Sequence, residues 1–241
     1  MTGRNPPAEP SPFAVVVISA NAEWRIVRSL YPDAAVQQTP YGESFRLDLS
    51  GRPVIVLHGG WGKIAAAASA QYALARWSPR VLVNLGTCGG FAGLSGGLRR
   101  GDILLVERTL VYDIVEQMGD AEAAVRHYTV DLDLSWLREP YPLPVRRALL
   151  VSADRDICVP DIPMLVQRYG AAAADWESGA IAWVAARNGV RCLILRGVSD
   201  LVGEHGGEAY GDIGVFHEGA RLVMEPLLNA LPEWLSCIEE N

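Results

Sequence analysis

Strand-sized apolar runs that do not alternate constrain this chain more than any other feature of its 241 residues. Ala14 to Ile18, Val54 to Leu57, Val81 to Leu85, Asp102 to Val106, Ala148 to Val151 and Cys192 to Leu195 are short, rich in branched side chains and nearly continuous. A strand with one wet face alternates apolar and polar residues, whereas a continuous run belongs to a strand covered on both faces. Stretches of helical period lie between the runs. Trp24, Ile26, Val27 and Leu30 form one stripe, the alanine-rich Ile64 to Trp77 another, and Ile162 to Tyr169 a third; a last long helix starts near Ile213 and runs toward Trp234. Phe45 to Leu49 does alternate, and Ser50 to Pro53 turns it back into Val54 to Leu57 as a β-hairpin. Strands alternating with helices predict an α/β fold of three layers, α/β/α, around a central mixed, largely parallel twisted sheet.

Half the residues are apolar and a fifth charged, enough for one large core, so residues 13–241 read as a single domain. Met1 to Pro12 is polar and proline-rich, without the apolar core of a signal peptide, and reads as a disordered tail. Leu110 to Pro144, rich in charge and proline, reads as a mobile loop or a partner contact. A net charge of −7 disfavours nucleic acid and anionic membrane as partners, and the apolar runs are too short to span a bilayer. Cys88, Cys158, Cys192 and Cys237 show no CxxC spacing and read as reduced thiols of a cytoplasmic protein. His58, His127, His205 and His217 form no HxxxH pair, so neither a metal nor another cofactor is expected.

In open α/β sheets ligands collect at the carboxyl ends of strands. Asp200 closes the segment that begins at Cys192, and Glu177 follows the apolar run Ala171 to Ala174 and opens a helical stretch with Ile181, Val184 and Ala185 on one face. Two acids at neighbouring strand ends suit chemistry in which one polarises a leaving group and the other steadies a developing cation. Taken singly, Glu177 reads first as an acid facing a helix dipole, and Asp200 as a cap or turn residue. Gly59-Gly60-Trp61-Gly62-Lys63 and Gly86-Thr87-Cys88-Gly89-Gly90 read as glycine-dense loops after strands. Neither fits GxGxxG or GxxxxGK[ST]. They are tight turns, or places where backbone approaches an uncharged ligand with Thr87 and main-chain amides as donors. Lys63 reads as a solvated helix-start residue.

Seven segments in order carry a family resemblance: Ser19-Ala-Asn-Ala-Glu23, Gly60-Trp-Gly-Lys63, Asn84-Leu-Gly-Thr-Cys-Gly-Gly90, Gly101-Asp-Ile-Leu-Leu-Val106, Val151-Ser-Ala-Asp154, Glu177-Ser-Gly-Ala-Ile-Ala182 and Arg196-Gly-Val-Ser-Asp200. Over roughly residues 14–230 the chain resembles the purine nucleoside phosphorylase and nucleosidase superfamily, most closely its 5′-methylthioadenosine/S-adenosylhomocysteine nucleosidase branch. The resemblance implies a nucleoside phosphorylase-like fold, hydrolysis of the N-glycosidic bond of a purine nucleoside, and a homodimer whose neighbouring subunit closes the 5′ pocket. It implies that Asp200 protonates purine N7, that Glu177 holds the ribose hydroxyls and that Glu23 activates water. Glu23 reaches that position when Ser19 is placed at the family's small residue. Thr87, Cys88, Gly89, Trp61, Ile157, Trp176, Ser199 and Tyr210 fall at substrate-binding positions, Tyr210 toward the 5′ end.

Departures from the family pattern cluster around the base and the 5′ group. Asp156 stands near the aromatic that stacks on adenine, and neither it nor Arg155 offers an apolar platform. Trp61 replaces a smaller aliphatic residue by the 5′ group, Trp176 a methionine by the ribose, and Tyr112 the histidine often found before Asp113. Two other readings stay open. A phosphorylase of the same fold needs cationic side chains around phosphate, where the first loop offers Ser19, Asn21 and an anionic Glu23. A non-catalytic nucleoside-binding protein could share the fold without turnover. Seven tryptophans add to the expectation of a homodimer, since tryptophan is enriched in interface cores.

Overall fold

The apolar runs assemble into a sheet with helices on both sides in a computed structural model that describes residues 10–93 and 97–239. In chain order these are β1 (Ala14–Ile18), α1 (Asn21–Leu30), β2 (Gln37–Gln38), β3 (Glu43–Leu49), β4 (Arg52–His58), α2 (Lys63–Trp77), β5 (Val81–Phe91), β6 (Ile103–Val111), α3 (Ala121–His127) and β7 (Thr129–Asp131). There follow β8 (Arg146–Ser152), α4 (Ile162–Tyr169), β9 (Ala171–Asp175), α5 (Ser178–Arg187), β10 (Arg191–Gly203), β11 (Gly206–Gly207), α6 (Ile213–Asn229) and α7 (Leu231–Ser236). The continuous runs have a simple cause. Successive side chains of a strand point to opposite faces: Val16 and Ile18 of β1 enter one core with α1, α6 and α7, while Val15 and Val17 enter another with α2 and α5. Both faces are dry, so nothing in the strand needs to be polar.

The sheet runs β11-β10-β6-β8-β9-β5-β1-β4-β3-β2, with β7 paired to β6. The ladders β1–β4, β1–β5, β5–β10, β6–β8 and β8–β9 are parallel. The hairpin β3–β4 and the pairs β6–β10 and β5–β9 are antiparallel. Because β5 pairs with both β9 and β10, five strands close into a small ring beside the open part of the sheet.

Several local expectations give way. Gly86 to Gly90 is not a loop: β5 continues to Phe91 and β10 to Gly203, each extension hydrogen-bonded to the other. Glycine is required inside this strand by close approach, since a Cβ on Gly86 would lie 2.1 Å from Arg196 Nη1. The register of β10 against β5 shifts between Val198 and Asp200, a bulge that re-aims the side chains around it. The carbonyl of Ser199, within the bulge, lies against α6, where a Cβ on Gly219 would come within 2.1 Å of it. Leu110 to Pro144 contains the end of β6, α3 and β7, and it buries Leu134, Trp136 and Leu137 in the core. The last helix breaks at Ala230 into α6 and α7. Lys63 is not simply solvated, for its ammonium pairs with Asp113 and lies 3.8 Å from Asp154. Trp24, Trp136 and Trp234 belong to the core and only Trp61 is strongly exposed, so the tryptophan count speaks mostly of packing. Of the expected tail, residues 1–9 lie outside the described residues, and Pro12 is buried. Among the described residues no helix is long and apolar enough to cross a membrane.

Candidate active site

The carboxyl ends of β1, β5, β9 and β10 open into one cavity of about 750 Å³. Every site residue named from the sequence lines it: Glu23, Trp61, Thr87, Cys88, Gly89, Ile157, Trp176, Glu177, Ser199, Asp200 and Tyr210. β1 and β5 are parallel neighbours, which sets the first turn of α1 beside the extended end of β5. Glu23 is buried there. Its Oε1 accepts from the Thr87 amide at 2.6 Å and the Thr87 hydroxyl at 2.8 Å, and its Oε2 from the Ala20 amide at 3.1 Å.

Behind Glu23 lies a buried polar network that sequence reasoning did not foresee. Arg196, 1% exposed, donates from Nε to Asp175 Oδ2 at 2.8 Å and to Ser178 Oγ at 3.0 Å, and from Nη2 to Asn84 Oδ1 at 2.6 Å. Asp175 also accepts from Ser152 Oγ and the Ser178 amide. Burial works against the charge on Arg196, but Asp175, Glu23 and Glu177 more than offset it and hold its pKa above the ordinary value. The network joins β5, β8, β9, α5 and β10, and so fixes the strand ends that carry the acids.

Glu177 is the N-cap of α5. Its Oε1 accepts from the Gly62 amide at 2.9 Å, which ties the glycine-dense loop before α2 to the site. Burial pushes its pKa up, and the charge of Asp175 pushes the same way. Asp200 stands in the bulged part of β10, where Ser199 Oγ lies 2.7 Å from its Oδ1 and 3.3 Å from the Cys88 carbonyl. Burial raises the Asp200 pKa, the Ser199 hydrogen bond opposes, and the charge of Glu208 adds to the rise. One carboxyl of the three thus accepts three hydrogen bonds, while burial raises the pKa of the other two.

Tyr210 lines the cavity, as expected. Its hydroxyl donates to the Ile157 carbonyl at 3.0 Å, and its ring lies over Gly207. Burial pushes its pKa up to about 12, with the charges of Asp156 and Asp200 acting in the same direction. It belongs to the Asp200 side of the cavity. Trp61 and Trp176 form an aromatic wall, with ring centroids 5.3 Å apart and planes at 43°. Sequence reasoning missed Arg25, Phe216 and His217, which also line the cavity. Asn21 and Arg25 share one face of α1 at i and i+4, the one local signal available, but only the packing of α1 against α6 brings Arg25 to His217.

Comparison with known proteins agrees with this architecture. A 5′-methylthioadenosine/S-adenosylhomocysteine nucleosidase from Tolumonas auensis is 28% identical over 173 residues, covering 67% of this chain and 74% of that protein. The structure of the Arabidopsis thaliana 5′-methylthioadenosine nucleosidase in apo form superposes with a TM-score of 0.75 at 18% identity, over 95% of this chain and 100% of the other. The Helicobacter pylori 5′-methylthioadenosine/S-adenosylhomocysteine nucleosidase with butyl-thio-DADMe-Immucillin-A superposes with a TM-score of 0.74 at 16% identity, over 93% and 100% of the two chains. At these identities the structural likeness is one of fold. The family model described as the phosphorylase superfamily matches residues 12–230, and the chain belongs to that superfamily.

Proposed function

We propose that the protein is an N-glycosyl hydrolase that releases the free base from purine nucleosides of the 5′-methylthioadenosine and S-adenosylhomocysteine type. The observation that carries this reading is the convergence of Glu23, Glu177 and Asp200 on one cavity in unlike environments. Cleavage of a glycosidic bond passes through an oxocarbenium-like sugar, and adenine leaves poorly as an anion. Asp200, whose pKa is raised, donates a proton at N7 as the C1′–N9 bond breaks. Glu177 accepts from the ribose hydroxyls with the oxygen that Gly62 does not occupy. Glu23 takes a proton from the water that attacks C1′. Thr87 is the element that separates hydrolysis from phosphorolysis. Its amide and hydroxyl would be natural donors to a phosphate, and both are already spent on Glu23; the carboxylate would also repel the anion.

A panel of nucleosides incubated with and without phosphate tests the assignment. Free base formed without phosphate is the expected result. Strict dependence on phosphate would make the protein a phosphorylase, and binding without turnover a nucleoside-binding protein.

Trp61 sets the 5′ preference in this reading. An indole there leaves less room than a branched aliphatic side chain, and packed walls yield little. Small or flat 5′ groups should therefore be cleaved in preference to S-adenosylhomocysteine. Trp61→Ile should raise kcat/KM for the longer substrate relative to the shorter by roughly 10-fold, the scale of one or two methylenes in an apolar pocket. An unchanged ratio would show that the indole does not meet the 5′ group.

A homodimer belongs to the same proposal. Trp61, Ile64, Val115 and Met118 are exposed at 59%, 85%, 76% and 97%, and the Lys63–Asp113 ion pair joins the two segments that carry them. An apolar patch beside a cavity mouth is the surface a second copy would cover. Light scattering at micromolar concentration should give twice the chain mass; a fully active monomer would refute it. A cytoplasmic location suits the four free cysteines.

A further inference from the structure

The turn that leads into β6 holds the bulge of β10 from outside the cavity. Ser199 has no partner in the register of β10 against β5, which shifts between Val198 and Asp200. Its carbonyl accepts from Arg100 Nε at 3.1 Å. Arg100 is itself held in place through its neighbours. The Gly101 amide donates to the Val198 carbonyl at 2.9 Å, and the Val198 amide to the Asp102 carbonyl at 2.9 Å. Asp102 in turn accepts from the Arg99 amide at 3.0 Å and lies 3.2 Å from Arg146 Nε. At its other end Ser199 presents the hydroxyl that meets Asp200 Oδ1 at 2.7 Å. One residue thus links Arg100, which does not line the cavity, to Asp200, which does.

A neutral donor would satisfy that carbonyl, so the charge on Arg100 needs a separate reason. Several elements bring polar or charged groups to the same end of the cavity. Glu208 and Tyr210 come from the segment between β10 and α6, Cys88 from β5 and His217 from α6. The loop after β8 adds Asp156 and Arg155, the latter already paired with Asp161. Burial pushes the Asp200 pKa up and the charges of Glu208 and Asp156 add to the rise, whereas the Ser199 hydrogen bond and the charge of Arg100 oppose it. A general acid works best with a pKa near the pH at which it operates, and one held far above that gives up its proton poorly.

We infer that Arg100 is a positioning residue for the general acid: it clamps the Ser199 carbonyl at the bulge, and so aims Asp200, and it sets a fixed positive charge behind the carboxyl. This rests on the nucleosidase reading, in which Asp200 protonates the leaving base.

Three variants separate the clamp from the charge. Arg100→Met removes both, Arg100→Gln keeps a donor without the charge, and Arg100→Lys keeps the charge. Release of base from 5′-methylthioadenosine is followed across pH, with each profile scaled to its own maximum. Removing a cation takes away an influence that lowers the pKa of Asp200, so the alkaline limb should move to higher pH in the Met and Gln variants and stay in place in the Lys variant. On the scaled limb the first two should exceed wild type by about 3- to 10-fold, the weak end of what an opposite charge does to a pKa. The unscaled maximum should fall by about 10-fold in Arg100→Met, the scale of one charged hydrogen bond, and recover in part in Arg100→Gln. A residue that only supported the fold would lower the maximum and Tm without moving the limb. A limb that stays in place or moves to lower pH in the Met and Gln variants overturns the inference. So does a limb that moves equally in the Lys variant, or a maximum in Arg100→Met equal to that of wild type. If the wild type releases base from no nucleoside, the nucleosidase reading fails instead, and the hold of Arg100 on Asp200 is decided by nuclear magnetic resonance. The Asp200 carboxyl carbon, identified by the loss of its signal in Asp200→Asn, should titrate at higher pH in the Met and Gln variants than in wild type, and equal midpoints overturn it.

Discussion

Asp200→Asn should leave the fold and nucleoside binding intact and lower kcat by about 10²–10⁴-fold, the usual worth of a general acid. The carboxamide keeps the shape and a hydrogen bond but has no proton to pass to N7. The pH dependence gives a second readout. Burial raises the Asp200 pKa above the ordinary aspartate value, and in the proposed mechanism the protonated form is the active one. The rate should thus hold at low pH, as far as Asp200 limits it, and fall as pH rises through that raised pKa; the limb should vanish in the Asn variant. Release of free base measured across pH for both proteins checks this. Activity within a few-fold of wild type would remove Asp200 from the role of acid.

Arg196→Met should be the most destabilising single change near the site. Arg196 and Asp175 form an ion pair whose side chains are 1% and 2% exposed, and removing the cation leaves Asp175 buried without its counter-charge. Breaking a buried pair in this way costs about 3–5 kcal/mol, and at this chain length each kcal/mol lowers Tm by roughly 2–4 °C. A fall of about 10 °C is expected in a thermal melt followed by circular dichroism. The double variant Arg196→Met/Asp175→Leu should recover part of the loss, because an apolar pair leaves no stranded charge. A single variant that melts within about 2 °C of wild type would mean that the carboxylate is already compensated by Ser152 and Ser178.

The two changes separate what the site does from what holds it. In the proposed mechanism Asp200 acts on the substrate, whereas Arg196 acts only through the strand ends of β5, β9 and β10 that its network ties together. A loss of rate without a loss of Tm marks the first kind of residue, and the reverse order marks the second.

Some of this was legible in the amino-acid order alone. The continuous runs of β1, β5 and β10 announce strands buried on both faces, because whether a strand needs polar residues depends only on whether its faces are wet. The acids that follow such runs are candidate site residues for a local reason as well, since a strand's carboxyl end is where backbone leaves the sheet and ligands enter. Glu177 and Asp200 were therefore visible, Glu23 was named only through the family resemblance, and all three meet in one cavity. The tertiary structure decided what happens between residues far apart in the chain. Thr87 closes on Glu23 across 64 positions, and Arg196 on Asn84 across 112. It also carried β5 and β10 past their apolar runs, turned Tyr210 toward Ile157 and set Arg25 beside His217. Period and composition report the dryness of a face, but a hydrogen-bond partner is chosen by geometry after the layers have packed. Only in the folded chain, where most buried polar groups are paired, is it fixed that Arg196 is the arginine that ties the strand ends of the site together.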